Sequence, residues 1–104
     1  MGTVQSMRLS DAGFVKKVRA IAEDSYRVVL TKHAKQRMKQ RRITLPQVLQ
    51  CLRKGRIIEP AHMTMQGDWK ATLEHQCAGD LVRVAVAIER QQDGDLAVVV
   101  TVME

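Results

Sequence analysis

Aromatic residues are nearly missing from this chain: Phe14, Tyr26 and Trp69 are its only three, 3% of 104 positions. Modules that read single strands by stacking bases need aromatic platforms, so that class is excluded. Cysteine is equally scarce. Cys51 and Cys77 are too few to staple a small secreted fold and point to a reducing compartment. No apolar run approaches the roughly 18 residues of a membrane helix. Met1 to Leu9 carries one arginine and no apolar stretch, so no secretory signal is expected. A glycine-rich phosphate loop, a dinucleotide fingerprint, an internal repeat and a linker are all lacking. What is present suffices for one domain. The chain is 45% hydrophobic, and at this length roughly two-thirds of its unfolded surface can be buried. The expectation is a weakly ordered lead-in over residues 1–9 and a single domain over 10–104, in the cytoplasm.

Acidic residues are lacking in one place only. Between Asp24 and Glu59 there is none, while Arg27, Lys32, Lys35, Arg37, Lys39, Arg41, Arg42, Arg53, Lys54 and Arg56 all fall there. The net charge of +6 is therefore a +10 window set against a remainder of −4. Such a field attracts phosphates or an acidic protein. A solvated helix face is the plainer explanation of a charge run. Here the window offers no acidic partner at i,i+4, and like charges at that spacing repel.

Ser10 caps a helix over 11–23 whose Phe14, Val15, Val18, Ile21 and Ala22 make one apolar face. Arg27 to Leu30 reads as a short strand. Thr31 caps a second helix over 32–41, with Ala34 and Met38 as its inward residues. Thr44 and Gln47 make a capping box for a third, with Pro46 in its first turn. Its Leu45, Val48, Leu49 and Leu52 are spaced i, i+3, i+4, i+7. Gly55 is expected as its left-handed stop. The period then drops to two. Arg56–Glu59 reads as a short strand interrupted by Pro60. Turns at Gly67-Asp68, Gly79-Asp80 and Asp93-Gly94 separate strands over 69–77, 81–89 and 96–103. In the last of these, Ala97, Val99, Thr101 and Met103 would share one face. Helices first and strands later predict an α+β fold: two or three N-terminal helices on one face of an antiparallel sheet of about four strands.

His33, Arg37 and Arg41 recur at i, i+4, i+8, a line that winds only about 40° per step around a helix. Two arginines can hold a phosphate while a neighbouring histidine supplies a titratable group, a setting suited to acid or base work in RNA cleavage. The structural alternative has His33 packing the helix start and the arginines pairing with carboxylates such as Glu59 or Glu74. Metal binding has little support, since His33, His62, His75, Cys51 and Cys77 show no paired ligand spacing. No metal or other cofactor is expected. Cys51 reads as a small buried residue rather than a nucleophile.

The pattern T-x-H-A-x-x-R-M-x-x-R-x-I-T-x-x-x-V, from Thr31 to Val48, is followed by G-x-I-I-E from Gly55 to Glu59 and by V-V-V-T-V at Val98–Val102. Together these resemble the family of domain of unknown function 4258. Arg42 departs from it, standing where the family commonly has glycine, and could lengthen the basic helix. The family looks like a relative of the RelE/ParE toxins. That resemblance implies a RelE/ParE-like architecture and a toxin-type endoribonuclease paired with an antitoxin. In the catalytic group His33 would be the acid or base and Arg37 and Arg41 would hold phosphate; Arg83 and Thr101 would join them if the helix edge faces the sheet cleft, a placement that comes from topology and not from a matched motif. Lys32, Lys35, Lys39, Arg42, Arg53, Lys54 and Arg56 would hold RNA or the ribosome, and an acidic antitoxin would mask the positive surface. Two other functions stay open: a non-catalytic module for nucleic acid or an acidic protein, using the same basic face, and, from the resemblance, a ParE-like gyrase inhibitor. Oligomeric state is left open.

Overall fold

The computed structural model describes residues 9–77 and 79–103. The expected lead-in therefore lies, apart from Leu9, outside the described residues. Three helices occupy the N-terminal half, with one short strand between the first and second: α1 (Asp11–Ala22), α2 (Lys32–Arg41) and α3 (Leu45–Lys54). Each begins where a hydroxyl can accept an otherwise unpaired N–H. Ser10 accepts from Gly13 at 3.0 Å and Thr31 from Ala34 at 3.0 Å. At α3, Thr44 and Gln47 cap each other reciprocally.

Five strands form one sheet: β1 (Val28–Leu30), β2 (Arg56–Met63), β3 (Trp69–Cys77), β4 (Asp80–Glu89) and β5 (Leu96–Met103), in the order β1-β5-β4-β3-β2. The α+β class holds. The sheet differs from an antiparallel set of about four by one strand, and it is mixed. β1 pairs with β5 in parallel, Val28 opposite Ala97 and Leu30 opposite Val99. β2 runs on through Pro60 to Met63, with register shifts on both sides of Glu59. It is an edge strand, where proline forfeits no ladder bond. The three expected turns form, with glycine at positive φ in each.

The helices share one apolar core with one sheet face. Phe14, Val18, Ala34, Met38, Val48, Cys51 and Leu52 meet Ala71, Leu73, Val82, Val84, Val86, Ile88, Ala97, Val99 and Val102. Strict alternation along β5 fails. Val84 opposes Val102 but Val86 opposes Val99, so Val100 is an extra residue. This β-bulge puts Ala97, Val99 and Val102 on the core side and turns Thr101 and Met103 away.

Gly55 is not a left-handed stop. Its φ and ψ are −70° and 161°. A Cβ there would press on the Cys51 carbonyl oxygen and lie 3.0 Å from that of Glu74. Close backbone approach, not a special dihedral, requires glycine at this position. Arg42 does not lengthen α2. It takes the left-handed conformation, φ 57° and ψ 39°, and closes the helix. The Ile43 amide then returns to the Met38 carbonyl at 2.9 Å, and Ile43 is buried.

Candidate nucleic-acid interface

α2 carries the densest part of the basic window. With only Ala34 and Met38 buried, most of its circumference is polar. The 40° winding of the His33–Arg37–Arg41 line takes it from solvent toward the sheet: His33 is exposed, while Arg37 and Arg41 are half-buried. Lys32, Lys35, Lys39 and Arg42 are exposed. Lys39 and Arg41 also sit in the last turn, where the helix dipole favours cations. Arg37 Nη1 donates to Gln40 Oε1 at 3.5 Å, and its Nε is buried with no partner among the described residues. A buried donor left unpaired costs about 1–3 kcal/mol.

The rest of the window is put to structural use or lies elsewhere. Arg53 donates from Nε to the Ala22 carbonyl at 2.8 Å, closing the C-terminus of α1. Lys54 is exposed at the end of α3. Arg56 begins β2 and bonds Glu74 at 3.1 Å.

Arg83 and Thr101 lie on the sheet face turned away from the helices. Arg83 opposes Glu74 and Met103, and Thr101 opposes the neighbouring Ala85. Arg83 Nε donates to Glu74 Oε2 at 2.9 Å, so two arginines bracket one carboxylate. Their hydrogen bonds, Arg83's first and Arg56's second, hold the Glu74 carboxyl below its ordinary range. Glu59 accepts from the Thr72 hydroxyl at 2.5 Å. Thus the structure brings Arg56 and Arg83 together through Glu74. It groups His33, Arg37 and Arg41 along α2, which docks through Ala34 and Met38 onto the core. Among the described residues, no hydrogen bond or ion pair joins His33 or Arg37 to Arg83 or Thr101.

Sequence reasoning missed the Arg56–Glu74–Arg83 group. A visible signal existed: residues 74 and 83 face each other once the Gly79 turn sets the β3–β4 register. Cys51 is buried, donates weakly to the Val82 carbonyl at 3.7 Å, and has its thiol pushed up to about 12, chiefly by burial. It is a packed apolar residue rather than a nucleophile. Cys77 is also a free thiol. Among the described residues, no group of three or more His, Cys, Asp or Glu could hold a metal ion. Nor, among the described residues, is any helix long and apolar enough to cross a membrane.

Three capped helices on a mixed five-stranded sheet, the second helix strongly basic, define an α+β protein whose charge is concentrated on one exposed element. The chain belongs to the family of domain of unknown function 4258, whose model matches residues 30–104. The match runs from the end of β1 through β5 and leaves α1 outside. No curated protein and no solved structure is significantly similar to the chain.

Proposed function

We propose that this protein is a toxin-type endoribonuclease, a relative of the RelE/ParE toxins, that grips RNA phosphates through α2. One observation carries the reading. Much of a window of +10 with no acidic residue is displayed on one exposed helix, on which a histidine and two arginines are aligned. A phosphate bound between the guanidinium groups of Arg37 and Arg41 is held by charge-assisted hydrogen bonds. His33 takes the proton of a ribose 2′-hydroxyl. The 2′-oxygen attacks phosphorus, the P–O5′ bond breaks, the leaving 5′-oxygen takes a proton from water, and a 2′,3′-cyclic phosphate results while His33 returns its proton to solvent. Lys32, Lys35, Lys39 and Arg42, all exposed, serve as phosphate contacts, with Lys54 at the end of α3 as an outlying one. Arg83 and Thr101, on the far face of the sheet, take no part in this step, and Arg53 and Arg56 are engaged by the Ala22 carbonyl and Glu74. RNA, free or on the ribosome in the cytoplasm, is the substrate, and an acidic antitoxin is the natural mask.

Purified protein incubated with RNA, with and without ribosomes, tests this. Cleavage by wild type and its loss in His33→Ala are expected. Equal cleavage by both would remove His33 from the reaction, and no cleavage in either setting would remove the ribonuclease. A second reading, a non-catalytic module for nucleic acid or an acidic protein, is favoured by the lack of any hydrogen bond or ion pair fixing the His33 ring among the described residues. Under it, RNA binding weakens steeply with salt, by about 0.7 in log K per log salt for each phosphate held on a single strand, and nothing is cleaved. ParE-like inhibition of gyrase would show instead as blocked supercoiling.

A further inference from the structure

A groove of about 570 Å3 runs between α1 and the start of β2, and no residue of α2 lines it. Its surface is of two kinds. Ala12, Val15 and Ile57 are apolar, while Lys16, Arg19 and Arg56 bring positive charge. Ala12, Val15, Lys16 and Arg19 follow helical spacing, one stripe over from the Phe14–Val18–Ala22 line that α1 buries. α1 thus has a second stripe on the groove side: Val15, like Ile57, is half-buried against the core and keeps part of its surface in the groove, while Ala12, Lys16 and Arg19 are exposed. Arg19 is fixed across the groove, its Nη2 donating to the Gly55 carbonyl at 3.3 Å. Arg56 stands on the opposite wall with its side chain 80% exposed. Its bond to Glu74 engages one of the five donors a guanidinium carries. Lys16 is exposed. Asp11, at the edge of the groove, is occupied by the Ala61 amide at 2.9 Å.

We propose that this groove docks an acidic amphipathic helix of a partner protein. Apolar side chains of that helix cover Ala12, Val15 and Ile57, and its carboxylates meet Lys16, Arg19 and Arg56. Charge complementarity selects the partner: three cations surround an apolar floor, and the one acid present is already hydrogen-bonded. Nucleic acid fits less well. None of the three aromatic residues lines the groove to stack a base. The groove lies apart from α2, and of the residues expected to hold RNA only Arg56 lines it.

The probe is a fluorescent helical peptide of about 15 residues, leucine on one face and glutamate on the other, beside a scrambled peptide of identical composition. Anisotropy titration of the full chain should show the patterned peptide binding at least about tenfold more tightly than the scrambled one. Lys16→Glu, at an exposed position, should weaken it by about tenfold, and Val15→Asp likewise. Lys35→Glu on α2 should change it by less than about threefold while weakening RNA binding. Thermal melts establish that each variant is folded, and amide shifts of residues 11–19 and 55–57 should move in wild type whatever the variants do. Equal binding of the scrambled peptide would overturn the proposal. So would indifference to Lys16→Glu, shifts confined to α2, or loss of RNA binding in Lys16→Glu as large as the loss of peptide binding.

Discussion

Arg42 holds a backbone conformation that crowds its Cβ against the following carbonyl, at roughly 1–2 kcal/mol for an L residue. Glycine has no Cβ there but loses about 0.5–1 kcal/mol in chain entropy. Arg42→Gly should therefore stabilise the fold by about 0.5–1 kcal/mol, read as a higher urea midpoint at unchanged slope. Glu74 makes a second prediction at this scale. Its carboxyl titrates below the ordinary 4.5 when folded, so the unfolded chain takes up the proton first. The stability it contributes is complete above that value and fades as pH falls through the folded pKa. Wild type should exceed Glu74→Gln in stability at neutral pH, and the gap should close on acidification below about 4.5; a constant gap would mean that pairing with Arg83 and Arg56 is not its source. Residue identities announced some of this. Cys51 reads as buried from its place beside Leu52 on an apolar helix face. The left-handed turn at Arg42 was not legible, because arginine carries no mark of it.

The helices were the legible elements, since their ends are written in single residues. Ser10, Thr31 and Thr44 announce three starts, and all three hydroxyls accept the expected amides. Thr31 does more than its position suggests. Its hydroxyl also donates to the Val100 carbonyl at 2.9 Å, and its amide to the Val99 carbonyl at 3.2 Å. One side chain thus fastens α2 to the bulge of β5. Thr31→Ala should cost about 1–2 kcal/mol in chemical unfolding, and Thr31→Ser should recover most of it. Strands were less legible. Period-two patterning located β3 to β5 but not the extra residue in β5, because valine fits either face of a sheet. Nor can a three-residue strand declare its partner: β1 pairs with β5 through a long crossover, which local sequence does not encode. The exposed line on α2 was readable from spacing alone. The Glu74–Arg83 pairing was readable from the Gly79 turn, but the addition of Arg56 and the α1–β2 groove were not, since each depends on which segments the topology brings together.

At the scale of the whole molecule, positive charge and the sheet are organised around β5. It pairs β1 on one side and β4 on the other, and supplies Ala97, Val99 and Val102 to the core. A chain ending at Asp95 should show no cooperative thermal transition by near-ultraviolet dichroism of Trp69, whereas the full chain should melt in one step. The junction of Thr31 with Val100 joins residues 69 positions apart. Such a closure is slow relative to the local turns of the β3–β4 hairpin. It also sets an order in time during synthesis. The basic helix leaves the ribosome long before the strand that seats it, so its cations are not held in their folded arrangement until β5 has been made. Translation itself then delays the assembled surface, and a nascent fragment lacking β5 carries the charge without the geometry.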